Sequence, residues 1–336
     1  MEIVAADIAD PETLADAWRA LEDRSDASFF QGWSWVGCLA QERFVDPLLV
    51  TAGQSGVTVG MALFSRPRAR GVSRRLLLHE SGDVAHDSIY VEHNGAMLAR
   101  GQSALLLPQM ARAARAHARA RDRGLWRLVA SRVDAAAYLG ALAMNLPLPS
   151  AEARPSWTID LERLRRQGGD PFTLFGANTR AAIRRSLQSY AKAGGVTVSR
   201  AETLEEAHGF LDELIALHQT FRVGRGQAGA FAEPFMRRFH QALIARALPN
   251  DEVDLLRVAT PAATLGLVYN FRHKGRVCSY QSGFAVEGAG PREKPGLTAY
   301  ALCIARYLEA GLDSYDFLVG DAPYKRNITN TYGVMY

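Results

Sequence analysis

At 336 residues the chain is longer than one hydrophobic core usually holds, and an apolar content of 48% is enough for two, which excludes a disordered or fibrous chain. With 39 basic and 35 acidic residues the net charge is +4, mildly favourable to anionic ligands and far short of a dedicated nucleic-acid binder. Cys38, Cys278 and Cys303 stand far apart in apolar segments, a pattern of reduced core thiols in a cytoplasmic setting rather than of a disulfide framework or metal knuckle.

The opening Met1-Glu-Ile-Val-Ala-Ala-Asp7 carries acid where a signal peptide needs base, and no apolar run approaches the roughly 20 residues of a membrane span. A soluble protein is expected, with peripheral contact at the inner face of a membrane left open. A helix is predicted over Leu14 to Leu21, and the aromatic run Phe29 to Trp35 leads into a second. Asp46 to Ala52 and Val57 to Phe64 read as a hairpin, Arg75 to Leu78 as a strand, Gln102 to Arg121 as a helix, Trp126 to Ala130 as a strand and Ala135 to Ala143 as a helix. Pro147, Pro149 and Pro155 punctuate a join that divides the chain into 1–155 and 156–336, the latter opening on a strand over Ser156 to Leu161.

Within the first half, Leu78 to Asp83 and His86 to Asn94 concentrate histidine and carboxylate in one loop. Their spacing fits no metal-ligand pattern, so no metal is expected, and His79, Glu80, Asp87 and Asn94 are candidates for contacting a substrate or for structural hydrogen bonding. Arg112, Arg115 and Arg119 share a helix face, as do Arg180 and Arg184 beside Arg185. Such stripes suit a carrier protein, tRNA or anionic lipid, and equally a solvated face.

The second half continues with helices over Asn178 to Lys192, Leu204 to Phe221 and Phe231 to Ala247, a strand over Val196 to Arg200, and a meander of Val253 to Ala259, Thr264 to Arg272 and Arg276 to Phe284. His218 falls on the apolar side of its helix near Leu214 and Phe221, where it is a core histidine or a cleft base. After the last meander strand comes a glycine-rich loop. From Pro295-Gly296 onward, Leu297, Tyr300, Ala301, Ile304 and Leu308 recur at helical spacing up to Gly311, and Asp313 to Gly320 reads as a parallel strand. Such a crossover leaves N–H groups at a helix N-terminus, where Gly296 and Leu297 with Arg292 and Lys294 would hold a phosphate or pyrophosphate; the same stretch also reads as an ordinary loop. The order β, α, α, β, β, β, α, β is complete here and abbreviated in the first half, which predicts an internal duplication.

That order resembles the GNAT (N-acyltransferase) fold, and its repetition resembles the tandem CelD-like branch related to the FemAB peptidyltransferases. Carrying the resemblance are Tyr315-Asp-Phe-Leu-Val-Gly-Asp-Ala-Pro-Tyr-Lys325, Lys294-Pro-Gly-Leu297, Tyr280-Gln-Ser-Gly-Phe284 and His218-Gln-Thr-Phe-Arg-Val-Gly-Arg-Gly226. It covers Phe172 to Lys325 well and the first half only as element order. One departure is Pro295, which removes a donor from the family's usual phosphate loop. Another is the ending Thr331 to Tyr336, which reads as the start of a strand that the fold would ordinarily complete.

The resemblance implies an α/β (α+β mixed sheet) protein of tandem GNAT-like fold with a degenerate N-terminal half on the acceptor side and a C-terminal half that binds donor. It implies transfer of an acyl group from acyl-CoA or an acyl carrier protein, as cosubstrate rather than resident cofactor, to an amine such as an amino sugar, amino acid or amino lipid. Donor contacts would come from Arg292, Lys294, Gly296, Leu297, Tyr280, Gln281 and Ser282, and acceptor contacts from His79, Glu80, Asp87, Asn94, His218 and Arg225. Tyr324 would protonate the leaving thiolate, Asp321 or Asp316 would bind or deprotonate the amine, and Lys325 would balance charge. Two alternatives are an aminoacyl-tRNA donor, the one case in which nucleic acid would be a partner, and a ligand-binding protein without chemistry.

Overall fold

The structure, a computed structural model, describes residues 1–67, 73–146 and 152–336, and the expected breaks at Pro147 and Pro149 lie outside them. The chain separates into two compact units, Met1–Arg154 with Val334–Tyr336, and Pro155–Gly333.

In the first unit the elements are β1 (Glu2–Asp7), α1 (Ala15–Glu22), α2 (Trp33–Arg43), β2 (Leu48–Gln54), β3 (Val57–Ser65), β4 (Ser73–Leu78), β5 (Met97–Leu98), α3 (Leu106–Arg121), β6 (Leu125–Val129) and α4 (Ala135–Ala143). The sheet runs β1-β2-β3-β4-β6, with β5 paired to β3. All its pairs are antiparallel except β4 with β6, the two strands joined through α3. β1 was not expected, because its six residues alternate weakly and its side chains are half-buried or exposed. The aromatic run is core: Trp18, Phe29, Phe30, Trp33 and Trp35 are all buried, each ring contributing roughly 1.5–3 kcal/mol or more by leaving water. The start of α2 is capped from elsewhere. Gly32 has no side chain to offer, and the Glu22 carboxylate accepts the Trp33 N–H at 3.0 Å.

In the second unit follow β7 (Arg154–Asp160), α5 (Leu161–Arg166), α6 (Ala177–Lys192), β8 (Thr197–Arg200), α7 (Leu204–Val223), α8 (Pro234–Ala247), β9 (Val253–Ala259), β10 (Thr264–His273), β11 (Arg276–Phe284), α9 (Pro295–Glu309), β12 (Ser314–Val319), α10 (Pro323–Ile328) and β13 (Thr331–Met335). The sheet order is β13-β7-β12-β11-β10-β9-β8, and β11 and β12 pair in parallel. Against one core pack Ile183, Tyr190, Ile304, Tyr307, Tyr315 and Phe317 from α6, α9 and β12. Through that core runs a polar network: the Tyr307 hydroxyl donates to Asp254 (2.9 Å), the Asn270 amide donates to Tyr307 (2.9 Å), and Arg200 holds the other Asp254 oxygen. Buried polar groups persist in a core only when bonded in this way.

Two strands depart from the regular alternation that their sequences suggest. In β11 the partners of Tyr269 and Asn270 are Gln281 and Ser279, so Tyr280 is an extra residue and the strand bulges there. An odd spacing would normally put Ser279 and Ser282 on opposite faces, but the bulge brings both to the α9 side. Tyr280 is thereby carried among His240, Tyr269 and Phe271, away from the hydroxyls its neighbours join. In β12 the pairing with β7 slips between Asp316 and Val319, and Leu318 takes a left-handed φ of 61° that a branched side chain rarely accepts.

Candidate active site

The ladder between β11 and β12 contains three residue pairs, Arg276↔Ser314, Val277↔Tyr315 and Cys278↔Asp316, and ends there. Beyond it the ladder does not continue, so among the described residues the edge of β11 from Ser279 to Phe284 has no paired strand on that side. Backbone donors and acceptors on such an edge bind an extended ligand as a neighbouring strand would. At the head of the gap stands the N-terminus of α9, capped by no side chain, with Gly296 and Leu297 in its first turn. The Lys294 N–H donates to Ser186 Oγ at 2.9 Å and Thr298 Oγ1 lies 2.8 Å from the same oxygen, which ties this turn to α6. Gly296 packs beneath Phe284, whose ring would lie 3.1 Å from an added Cβ. Arg292 and Lys294 present exposed side chains beside the turn, while Gln281 is half-buried on the strand.

A chain of hydroxyls crosses the gap. Ser282 Oγ lies 3.1 Å from the Tyr300 hydroxyl, which also bonds Ser279 and Tyr324. Tyr324 stacks on Tyr300 with ring centres 5.8 Å apart, and its edge meets Phe317. The residue is 37% exposed overall, yet its hydroxyl turns inward. Burial, and then the charge and bond of Tyr300, push the Tyr324 hydroxyl above the ordinary tyrosine range, against a smaller opposing pull from the Arg222 guanidinium. It therefore keeps its proton at neutral pH, as a proton donor must.

The three other candidates on β12 and the segment after it do different things. Asp316, 8% exposed, accepts the Leu318 N–H at 2.6 Å and so holds the left-handed turn. Lys325, 9% exposed, donates to the carbonyls of Phe317 (2.7 Å), Leu318 (3.3 Å) and Val319 (3.1 Å), all on the bulged end of the strand. Gly320, at φ 139°, leaves room for that ammonium, which would lie 3.1 Å from an added Cβ. Asp321 is exposed and forks onto Arg326, a bond that lowers its pKa and leaves it a weak base. The structure brings Tyr324 together with Ser279, Ser282 and Tyr300, and it puts Asp316 and Lys325 into the backbone beneath them. Tyr300 and Ser279 were given no site role by sequence reasoning; their signal was the period of α9 and a bulge that sequence does not display.

His218 faces the same region from α7. Its Nδ1 lies 3.0 Å from the Ser282 carbonyl and its Nε2 accepts the Ala230 N–H at 3.3 Å, which fixes one neutral tautomer, and burial lowers its pKa. Its role in this geometry is to hold Ser282. Arg225 is exposed, its guanidinium 3.9 Å above the Phe221 ring.

In the first unit His79 and Asn94 are buried and bonded to each other at 2.9 Å, and the Asn94 amide donates to the Leu78 carbonyl at 3.0 Å. Burial lowers the His79 pKa to about 4. Arg43, a residue that its sequence context does not single out, organises this loop. From a fully buried position it donates to the carbonyls of His79 (2.6 Å), His86 (2.8 Å) and Ile89 (3.0 Å) and pairs with Asp87 at 3.4 Å. Glu80 and Asp87 line a cavity of about 520 Å³ within this unit.

Two α/β units, each with a helix joining a parallel strand pair in a mixed sheet, define a tandem GNAT fold related to that of the FemAB proteins. Residues 177–326 match the acetyltransferase (GNAT) domain family. A search of curated proteins finds no sequence relative. Among solved structures the chain is similar to FemX, at TM-score 0.66 and 10% identity over 100% of this chain and 97% of that one. It is also similar to the C-terminal domain of a putative lysylphosphatidylglycerol synthetase from Agrobacterium fabrum (TM-score 0.56, 13% identity, 97% and 90% covered). A third likeness is to L-PGS from Bacillus licheniformis (TM-score 0.55, 11% identity, 97% and 90% covered). Among the described residues no helix is long and apolar enough to cross a membrane.

Proposed function

We propose that the protein is an N-acyltransferase that moves an acyl group from a thioester, acyl-CoA or an acyl carrier protein, to an amine such as an amino sugar, amino acid or amino lipid. The observation that carries this reading is the open β11 edge beside the uncapped N-terminus of α9, with a hydroxyl chain ending at Tyr324. The thioester arm lies along Ser279–Phe284, and its phosphates take the first turn of α9 with Arg292 and Lys294 nearby. The amine attacks the carbonyl, the tetrahedral intermediate collapses, and Tyr324 protonates the departing sulfur while Tyr300 and Ser282 steady its hydroxyl. Asp321 is matched by its fork onto Arg326 and does not serve as the base, so the amine's proton leaves through water at the mouth. Asp316 and Lys325 act by fixing the backbone that presents Tyr324. Acceptor recognition is assigned to 1–155, donor binding and catalysis to 156–336, and the three buried cysteines fit a cytoplasmic setting.

An aminoacyl-tRNA donor is the second reading, favoured by the exposed Arg184 and Arg185 on α6, whose Ser186 holds the first turn of α9. Thiol release is measured with panels of acyl-CoA, acyl carrier protein and aminoacyl-tRNA, each with mixed amines. Release from a thioester, insensitive to ribonuclease, is the expected result. Ribonuclease-sensitive transfer from aminoacyl-tRNA alone would establish the second reading, and no transfer from any donor would leave a binding protein.

A further inference from the structure

The cavity in the first unit lies where β4 and β6 end their parallel ladder, at Leu77↔Val129, and give way to Leu78–Glu80 and Ala130–Val133. At about 520 Å³ it falls in the range of roughly 300–1,000 Å³ usual for small-molecule sites. Its floor is apolar: Phe64, Leu78, Leu107, Leu128, Val133 and Ala137. The first turn of α3 offers no open phosphate site here, because it is Leu106-Leu107-Pro108 and two of those side chains form the wall.

The charges around the cavity decide what it would take. Arg43 is matched by Asp87, Arg132 by Glu92 at 3.0 Å, and Arg154 by Glu152 at 2.8 Å. Glu80 remains. Its carboxylate accepts a hydrogen bond from the Ser131 hydroxyl and, among the described residues, has no cation paired with it, only the fields of Asp87, Arg43 and Arg132 around it. Burial accordingly raises its pKa. A half-buried carboxylate without a counter-ion, set over an apolar floor, is complementary to a cation carried on an apolar body.

We propose that this cavity binds an amphiphilic amine, with the ammonium on Glu80 and the apolar tail on Leu78, Leu107, Leu128 and Val133. If the first half is the acceptor side, as proposed above, this narrows the acceptor to amines with an apolar tail; the binding itself requires no donor and no turnover.

Calorimetric titration of the donor-free full chain with octylamine, octanol and octanoate holds the tail constant and varies the head. Octylamine is expected to bind at least about tenfold more tightly than octanol, and octanoate not at all. Glu80→Gln keeps shape and the Ser131 contact, and it should remove that tenfold preference while leaving octanol unchanged. Octylamine affinity should also fall as pH drops through the raised Glu80 pKa. Equal binding of octanol and octylamine, an unaltered preference in Glu80→Gln, or no binding of octylamine would each overturn the proposal. Thiol release measured separately distinguishes this failure from failure of the transferase reading.

Discussion

The two parallel crossovers, β4-α3-β6 and β11-α9-β12, share a backbone plan and end in different chemistry. In the second unit the helix starts at Pro295-Gly296 with no cap, the ladder stops after three pairs, and hydroxyls from Ser279, Ser282, Tyr300 and Tyr324 meet in the gap. In the first, five pairs hold the strands together, α3 begins with apolar residues, and the space at the strand ends forms a cavity whose unmatched charged group, among the described residues, is Glu80. The difference teaches that this crossover supplies a space between strands, while the helix's first turn sets its lining, a glycine turn without a side-chain cap in one unit and apolar side chains in the other.

The largest expected effect breaks the second unit's chemistry without disturbing its packing. Tyr324→Phe keeps the stack on Tyr300 and loses the proton, so turnover should fall by about 10²–10⁴ with donor affinity retained. A wild-type rate would move the acid's role to water. Next comes Arg43→Met in the first unit, which removes the guanidinium donors from the carbonyls of His79, His86 and Ile89 and takes the counter-ion from Asp87. Denaturant unfolding should register a loss of roughly 3–5 kcal/mol.

How much of this was legible in the sequence differs between the units for the same physical reasons. The meander β9-β10-β11 and the helix α9 were readable to within a residue or two, because hairpin loops and one apolar stripe mark them. Tyr324 stood out through its motif. Its partner Tyr300 did not, since a tyrosine at a core position of an amphipathic helix looks like packing until a bulge at Tyr280 turns two serines towards it. Glu80 and Asp87 were visible as a polar cluster, but their division of labour was hidden. It depends on Arg43, more than 35 residues earlier and inside an aromatic helix.

A smaller test uses pH and one buried imidazole in each unit. His79 is lowered to about 4 and His240 to about 3, both chiefly by burial, so the unfolded chain takes up protons that the folded chain refuses. Their contribution is complete above pH 6.5 and is lost as pH falls towards 4 and 3 respectively. By pH 5 each ring should have cost about 2 kcal/mol, and His240→Phe should recover the second unit's share in thermal melts. Unchanged acid sensitivity in that variant would contradict the assignment. Of similar size is the effect of Gly320→Ala, where φ 139° and the crowded Lys325 ammonium predict a loss of roughly 1–3 kcal/mol with a lowered rate, since Lys325 holds the backbone that leads to Tyr324.

The contrast between the two crossovers is tested most directly by hydrogen exchange of the intact chain with and without CoA, read by mass spectrometry. Protection is predicted over Ser279–Phe284 and the first turn of α9, with Leu78–Glu80 and the first turn of α3 unchanged. Protection confined to the first unit, or none in either, would contradict the account.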